Sequence, residues 1–192
     1  MKRLSTEHKA ELLVIGASAG GLNALGLMFS HLANVSIPIL VTKHIGADGD
    51  EGMLEVLRKQ SLLPVRLAMD KGVLSKGTIY LAPGGYHLQV EAKGVVSLSL
   101  EAPVRHVRPS IDVLFQSAAS VYGERVVALI LTGANDDGAE GISTIKQYGG
   151  VTIAEDPVSA EMKIMPQAAI STGHVDYVVG LRKLPAFLQT LL

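Results

Sequence analysis

The sequence predicts an α/β protein of the doubly wound type, and three observations carry that prediction. Near-continuous apolar runs of strand length, such as Leu12-Leu13-Val14-Ile15, mark strands buried on both faces. Segments with apolar residues spaced three and four apart lie between them, as the buried stripe of a helix requires. A middle stretch of short, partly alternating runs divided by Pro and Gly reads differently, as antiparallel structure. Together these give a mostly parallel sheet with helices on both faces, Rossmann-like, plus a small antiparallel hairpin or meander.

In order along the chain, Glu11 to Ala17, Ile37 to Thr42, Val126 to Leu131 and Val151 to Ala154 are the parallel strands. Leu22-Leu25-Met28-Phe29-Leu32 and Ile111-Leu114-Phe115-Ala118-Ala119 are the helical stripes. Thr78 to Ala82, Tyr86 to Glu91 and Val95 to Leu100, separated by Pro83-Gly84-Gly85 and Lys93-Gly94, form the expected meander. The 192 residues fit one domain spanning 1–192, with residues 1–10 expected to fray. There is no internal repeat and no interdomain linker.

Composition excludes several classes of function. Seventeen basic against eighteen acidic side chains give a net charge of −1, so no field steers the protein onto nucleic acid or an anionic membrane. Three Phe, five Tyr and no Trp leave little for stacking bases. The absence of Cys removes a disulfide framework, a thiolate nucleophile and a Cys-ligated metal together. The basic start, Met1 to Lys9, lacks the apolar stretch of a secretion signal, and no run approaches the roughly eighteen apolar residues of a membrane span. The expectation is a cytoplasmic protein without cofactor or metal, with no nucleic-acid partner and no membrane insertion.

Gly16-Ala17-Ser18-Ala19-Gly20 fits G-x-S-x-G, the pattern of a nucleophile elbow, and has the strand before and helix after that the pattern requires. Small neighbours leave the hydroxyl open in a tight turn, and the Ala19 N–H, at the start of the next helix, is a candidate oxyanion donor. The competing reading is a structural or phosphate-binding turn. The glycines fit neither G-x-G-x-x-G nor G-x-x-x-x-G-K-[ST], which weakens nucleotide binding.

A Ser hydroxyl needs a base, and the base needs an orienting group. Of six His, His44 follows the strand ending at Lys43 and so stands at a strand's carboxyl end, as Ser18 does. His31 falls late in the first helix, His8 in the terminus, His87 in the meander, and His106 and His174 in loops. A third strand end carries Asp136 and Asp137, whose plainer role is a turn and a helix N-cap. Ligands of open parallel sheets bind outside the carboxyl ends of strands, where Ser18, His44 and one of the two Asp all map. The chain order Ser, His, Asp differs from that of α/β-hydrolases.

These residues sit in longer motifs: IGASAGG at Ile15 to Gly21, YLAPGGYHL at Tyr80 to Leu88, RPSIDVLFQSAA at Arg108 to Ala119, LTGANDDGAEGI at Leu131 to Ile142 and MPQAAI at Met165 to Ile170. With His44 between them, the chain resembles, over nearly its full length, the catalytic domain of CheB-type chemotaxis protein-glutamate methylesterases. The resemblance implies a catalytic triad of Ser18, His44 and Asp137, the acidic residue being the one that directly precedes Gly138-Ala139. It implies a serine hydrolase that demethylates glutamyl methyl esters on the cytoplasmic helices of chemoreceptors and also deamidates receptor glutamines, with a separate regulatory protein as a further partner.

The chain departs from that family at two places. Thr132-Gly133-Ala134-Asn135 stands where Thr-Gly-Met-Gly is usual, which bears on pocket shape and makes Ala134 a second pocket and oxyanion candidate. The family's usual N-terminal receiver domain has no counterpart in 192 residues, so a stand-alone domain without phosphorylation of its own receiver is expected. The alternative reading is a noncatalytic adaptor that keeps the fold while Ala134-Asn135 disrupt the site.

Overall fold

The computed structural model describes residues 10–45 and 49–192; the expected frayed terminus, with His8, falls almost wholly outside them. Nine strands and six helices follow one another among the described residues. β1 (Leu12–Ala17), β2 (Ile39–Lys43), β3 (Val65–Leu67), β4 (Ile79–Leu81), β7 (Val126–Ile130), β8 (Val151–Glu155) and β9 (Tyr177–Val179) form one sheet in the order β3-β4-β2-β1-β7-β8-β9. Every neighbouring pair in it is parallel. The helices are α1 (Gly21–Phe29), α2 (Asp50–Gln60), α3 (Ile111–Tyr122), α4 (Ala139–Gln147), α5 (Ile164–Ser171) and α6 (Leu184–Gln189).

Alternation along the strands explains the two layers. Leu13, Ile15, Ile39, Val41, Val127 and Leu129 point to one face, where α1, α2 and α6 close a core around Leu25, Met28, Phe29, Leu57 and Leu188. Leu12, Val14, Leu40, Ala128 and Ile130 point to the other, against α3, α4 and α5. The central strands are apolar at both parities because both faces are covered.

One expectation needs correction. Thr78 to Ala82 is not part of an antiparallel meander: its Ile79–Leu81 is β4, a parallel strand between β2 and β3. Of the three runs, β5 (His87–Ala92) and β6 (Val95–Ser99) do pair antiparallel, as a separate two-stranded hairpin. It covers the α3 face through Leu88, Val90 and Val96. The first helix also ends before Leu32, which stays buried beyond it, so His31 lies in the turn after α1 rather than within it.

The chain leaves β1 toward β2 on one side, while β7 pairs with β1 on the other. This is the switch point of the sheet, where the loops at the strand carboxyl ends part and leave a crevice. Ser18, His44 and Asp137 follow β1, β2 and β7.

Candidate active site

Ser18 comes directly after β1, in a turn built for close approach. A Cβ on Gly16 would overlap Ile111 at the start of α3, so the strand end can lie this close to α3 only as glycine. Gly20 has φ of 77°, a left-handed conformation that lets the chain turn into α1. Ala19 precedes this N-cap rather than starting the helix; it is exposed, and its N–H donates no backbone hydrogen bond among the described residues.

Two buried polar residues, neither singled out as a site residue by the sequence, hold the turn. Ser18 N–H donates to the Thr132 carbonyl at 2.9 Å, and the Thr132 hydroxyl donates to the Ala19 carbonyl at 3.0 Å. Thr132 N–H in turn donates to Glu155 Oε2 at 2.9 Å. Burial raises the pKa of the Glu155 carboxyl, with the Thr132 bond working against it.

The structure brings Ser18, His44 and Asp137 into one row. The Ser18 hydroxyl lies 3.1 Å from His44 Nδ1, and His44 Nε2 lies 2.6 Å from Asp137 Oδ2. An ionised carboxylate only accepts, so Nε2 carries the proton and Nδ1 is left as acceptor for the serine hydroxyl. Asp136 stays outside this row; it is exposed and paired with Arg105.

Asp137 is fully buried, and its environment explains how a charge survives there. It accepts hydrogen bonds from the Ser110 hydroxyl at 2.9 Å, Ile111 N–H at 2.7 Å and Asp112 N–H at 3.1 Å. The last two are free N–H groups of the first turn of α3, where the helix dipole also favours an anion. The N-cap reading of the Asp pair is corrected here: α4 starts after Gly138 with no side-chain cap, and Asp137 instead accepts the first N–H groups of α3, a helix earlier in the chain. Burial works to raise its pKa, but the bonds from His44, Ile111 and Asp112 outweigh it and hold the carboxyl below its ordinary value.

Asp112 returns the arrangement by accepting the Gly141 N–H of α4 at 2.7 Å. Its burial, with the Asp137 charge beside it, raises its pKa to about 7 against the pull of the Gly141 bond. His87 is buried too: its Nδ1 accepts Ser110 N–H at 3.1 Å while Nε2 lies 3.2 Å from the Ala102 carbonyl. A buried imidazole that both donates and accepts backbone bonds fixes Ser110, and Ser110 bonds Asp137. The RPSID segment carried the signal for this group, a Ser and an Asp at a helix start, but their partners lie far along the chain.

Asn135, where the family usually has Gly, leaves this geometry in place. Its Oδ1 accepts Asp137 N–H at 3.3 Å and its Nδ2 stands 3.4 Å from His44 Nδ1. Ala134 is exposed and its N–H donates no backbone hydrogen bond among the described residues.

His106 lines a cleft of about 350 Å³ with His44, Ile45, Val107, Arg108 and Pro109. A second hollow, of about 370 Å³, also borders His44 and opens at Ser18, with Ala19, Asn23, Lys43 and Glu161 around it. Lys43 donates to the His44 carbonyl at 3.0 Å, and loss of hydration lowers its pKa. Among the described residues no cluster of His, Asp or Glu has the arrangement of a metal site, and no helix is long and apolar enough to cross a membrane.

The fold that carries this row is matched among known proteins. The chain superimposes on the crystal structure of the Thermotoga maritima CheB methylesterase catalytic domain with a TM-score of 0.92, at 34% identity, covering 96% of this chain and 100% of that one. A relative from Leptospira interrogans, provisionally named for the same activity, is 42% identical over 91% of both chains. The protein-glutamate methylesterase/protein-glutamine glutaminase of Clostridium acetobutylicum is 37% identical over 93% of this chain, which spans 52% of that protein's length. The corresponding protein of Pyrococcus abyssi is 38% identical over 96% of this chain, again about half (51%) of its own length. The CheB methylesterase family model matches residues 13–188, and with these relatives it shows that the chain belongs to the CheB methylesterase family.

Proposed function

We propose that the protein hydrolyses glutamyl methyl esters on chemoreceptor helices, with Ser18 as nucleophile, His44 as base and Asp137 as the group that orients the base. The observation that carries this is the continuous row from Ser18 Oγ to His44 Nδ1 at 3.1 Å and from His44 Nε2 to Asp137 Oδ2 at 2.6 Å. Ser18 Oγ bonds to the ester carbonyl carbon as its proton passes to His44 Nδ1. The imidazolium is stabilised by Asp137, whose position three donors fix in advance. His44 then gives the proton to the departing methoxide, releasing methanol. Water, deprotonated by the same nitrogen, cleaves the acyl-serine to leave glutamate. The Ala19 and Ala134 N–H groups are the candidate donors to the oxyanion.

The same sequence on a glutamine side chain releases ammonia. An amide is the poorer leaving group and asks more acid assistance of His44. The relatives' names join both activities. Receptor helices of this kind place the protein in the cytoplasm.

Labelling with a serine-reactive phosphonate tests the assignment. The wild-type protein is expected to label at Ser18, and replacing His44 by Ala is expected to abolish labelling. A protein that binds receptor but never labels would be the adaptor instead.

A further inference from the structure

The segment between β6 and α3 contains a two-residue hairpin tip whose backbone is at odds with its residues. Val104 N–H donates to the Val107 carbonyl at 3.1 Å and Val107 N–H to the Val104 carbonyl at 2.9 Å. Between them Arg105 and His106 have φ of 48° and 66°. Two consecutive left-handed residues are what a primed turn requires, and Asn-Gly is the pair that meets it without steric cost. Arg and His both carry a Cβ, and such a backbone persists only where its surroundings hold it.

Arg105 supplies the hold. Its Nη1 lies 2.7 Å from Asp136 Oδ2, its Nη2 2.6 Å from Glu140 Oε1 and its Nε 3.7 Å from Asp112 Oδ2. These carboxylates belong to the loop after β7, to α4 and to α3, the three segments around Asp137. One guanidinium thus ties the turn to the frame of the site. The next residue, His106, lines the 350 Å³ cleft that shares His44 with the 370 Å³ hollow at Ser18. A glutamyl ester is a side chain on a polypeptide, so with its carbonyl at Ser18 the parent chain has to pass along one flank of His44.

We propose that the Val104–Val107 turn is a wall that positions the substrate chain, with Arg105 as the latch that holds it and His106 as the side chain set against the substrate. This rests on the esterase reading above. Arg105 touches no reacting atom and is a positioning residue. Asp136 and Glu140 are exposed, so the latch is screened by salt.

The test is steady-state methanol release from methylated receptor membranes by the wild type, Arg105→Ala, Arg105→Lys and the double variant Arg105→Asn/His106→Gly, with phosphonate labelling of Ser18 measured on each. The double variant supplies the preferred turn sequence but neither latch nor wall side chain. Arg105→Ala is expected to raise KM about fivefold, the scale of one or two such ion pairs, with kcat and labelling rate within about twofold of wild type. Arg105→Lys should recover part of the loss, keeping charge without the fork. The double variant should keep the raised KM although its turn forms well, and roughly 0.5 M salt should bring the wild-type KM toward that of Arg105→Ala.

An unchanged KM in the double variant overturns the proposal, whether or not Arg105→Ala folds. So does a fall in kcat and labelling with KM unchanged, which would mean that Arg105 serves Asp137 instead. Wild-type release with unaltered variants overturns this inference alone; no release by a labelled wild type overturns the esterase reading with it.

Discussion

The two ends of the Ser18–His44–Asp137 row are built in opposite ways. Asp137 is fully buried, accepts from an imidazole, a hydroxyl and two helix N–H groups, and sits at the positive end of α3. Ser18 is half-buried; its hydroxyl faces a single nitrogen, and the hollow beside it is open to solvent. The acid end is wired before any ligand arrives, so it can hold the imidazole in one tautomer and one orientation. On the esterase reading proposed above, the serine end is left open so that an ester on another protein can reach it. Pre-organisation is thus concentrated where charge must be stabilised, and access where bonds are exchanged.

Breaking the wired end should have the largest effect. Asp137→Asn keeps the shape but offers an N–H₂ where His44 Nε2–H needs an acceptor, and a loss in kcat on the order of 10⁴-fold is expected from steady-state kinetics. A loss below about tenfold would mean that His44 is oriented by other groups.

Crowding the joint between the two ends comes next. Gly16→Ala sets a methyl against Ile111, whose N–H caps on Asp137. The expected cost is about 1–3 kcal/mol of stability, read as a lowered midpoint in denaturant, with activity falling alongside. Unchanged stability would show that α3 can retreat without disturbing the carboxylate.

The smallest effect sharpens the picture of charge at the wired end. Asp112 has its folded-state pKa raised from 3.8 to about 7, so the stability it contributes by holding a proton is complete below 3.8 and lost as pH rises to about 7. The Asp137 pKa is lowered, so its contribution has the opposite sign: present above the ordinary carboxylate value and lost on further acidification. Asp112→Asn keeps an acceptor for Gly141 N–H but cannot ionise. Between about pH 5 and pH 8 the wild-type melting temperature should fall through this group, and that slope should be missing in Asp112→Asn. Equal slopes would place the proton elsewhere.

Much of this was legible in the sequence because the relevant signals are local. Continuous apolar runs gave away β1, β2, β7 and β8, and a Ser, a His and an Asp each stand just past one of them. β4 was misread because Ile79-Tyr80-Leu81 is three residues long, lies close to Gly77 and Pro83 and is followed by a genuine hairpin; its parallel partners come from β2 and β3, which local pattern cannot reveal. The roles of Thr132, Glu155, Ser110, Asp112 and His87 are not legible in the sequence for a related reason. Each is an ordinary polar residue until its partner is known, and Thr132–Glu155 or Ser110–Asp137 meet only in the fold. Glu155, a charge at the end of the apolar run Val151 to Ala154, was the nearest thing to a warning. Asn135 illustrates the reverse: a departure that looked disruptive in sequence lies along the row, bonded to Asp137 N–H, without displacing it.

The most direct measurement follows methanol release from radiomethylated receptor membranes by the wild-type protein beside Ser18→Ala. The wild type should release methanol and Ser18→Ala should fall by about 10³-fold or more, the scale for disabling such a row. Equal release by the two proteins would contradict the assignment of Ser18 as nucleophile.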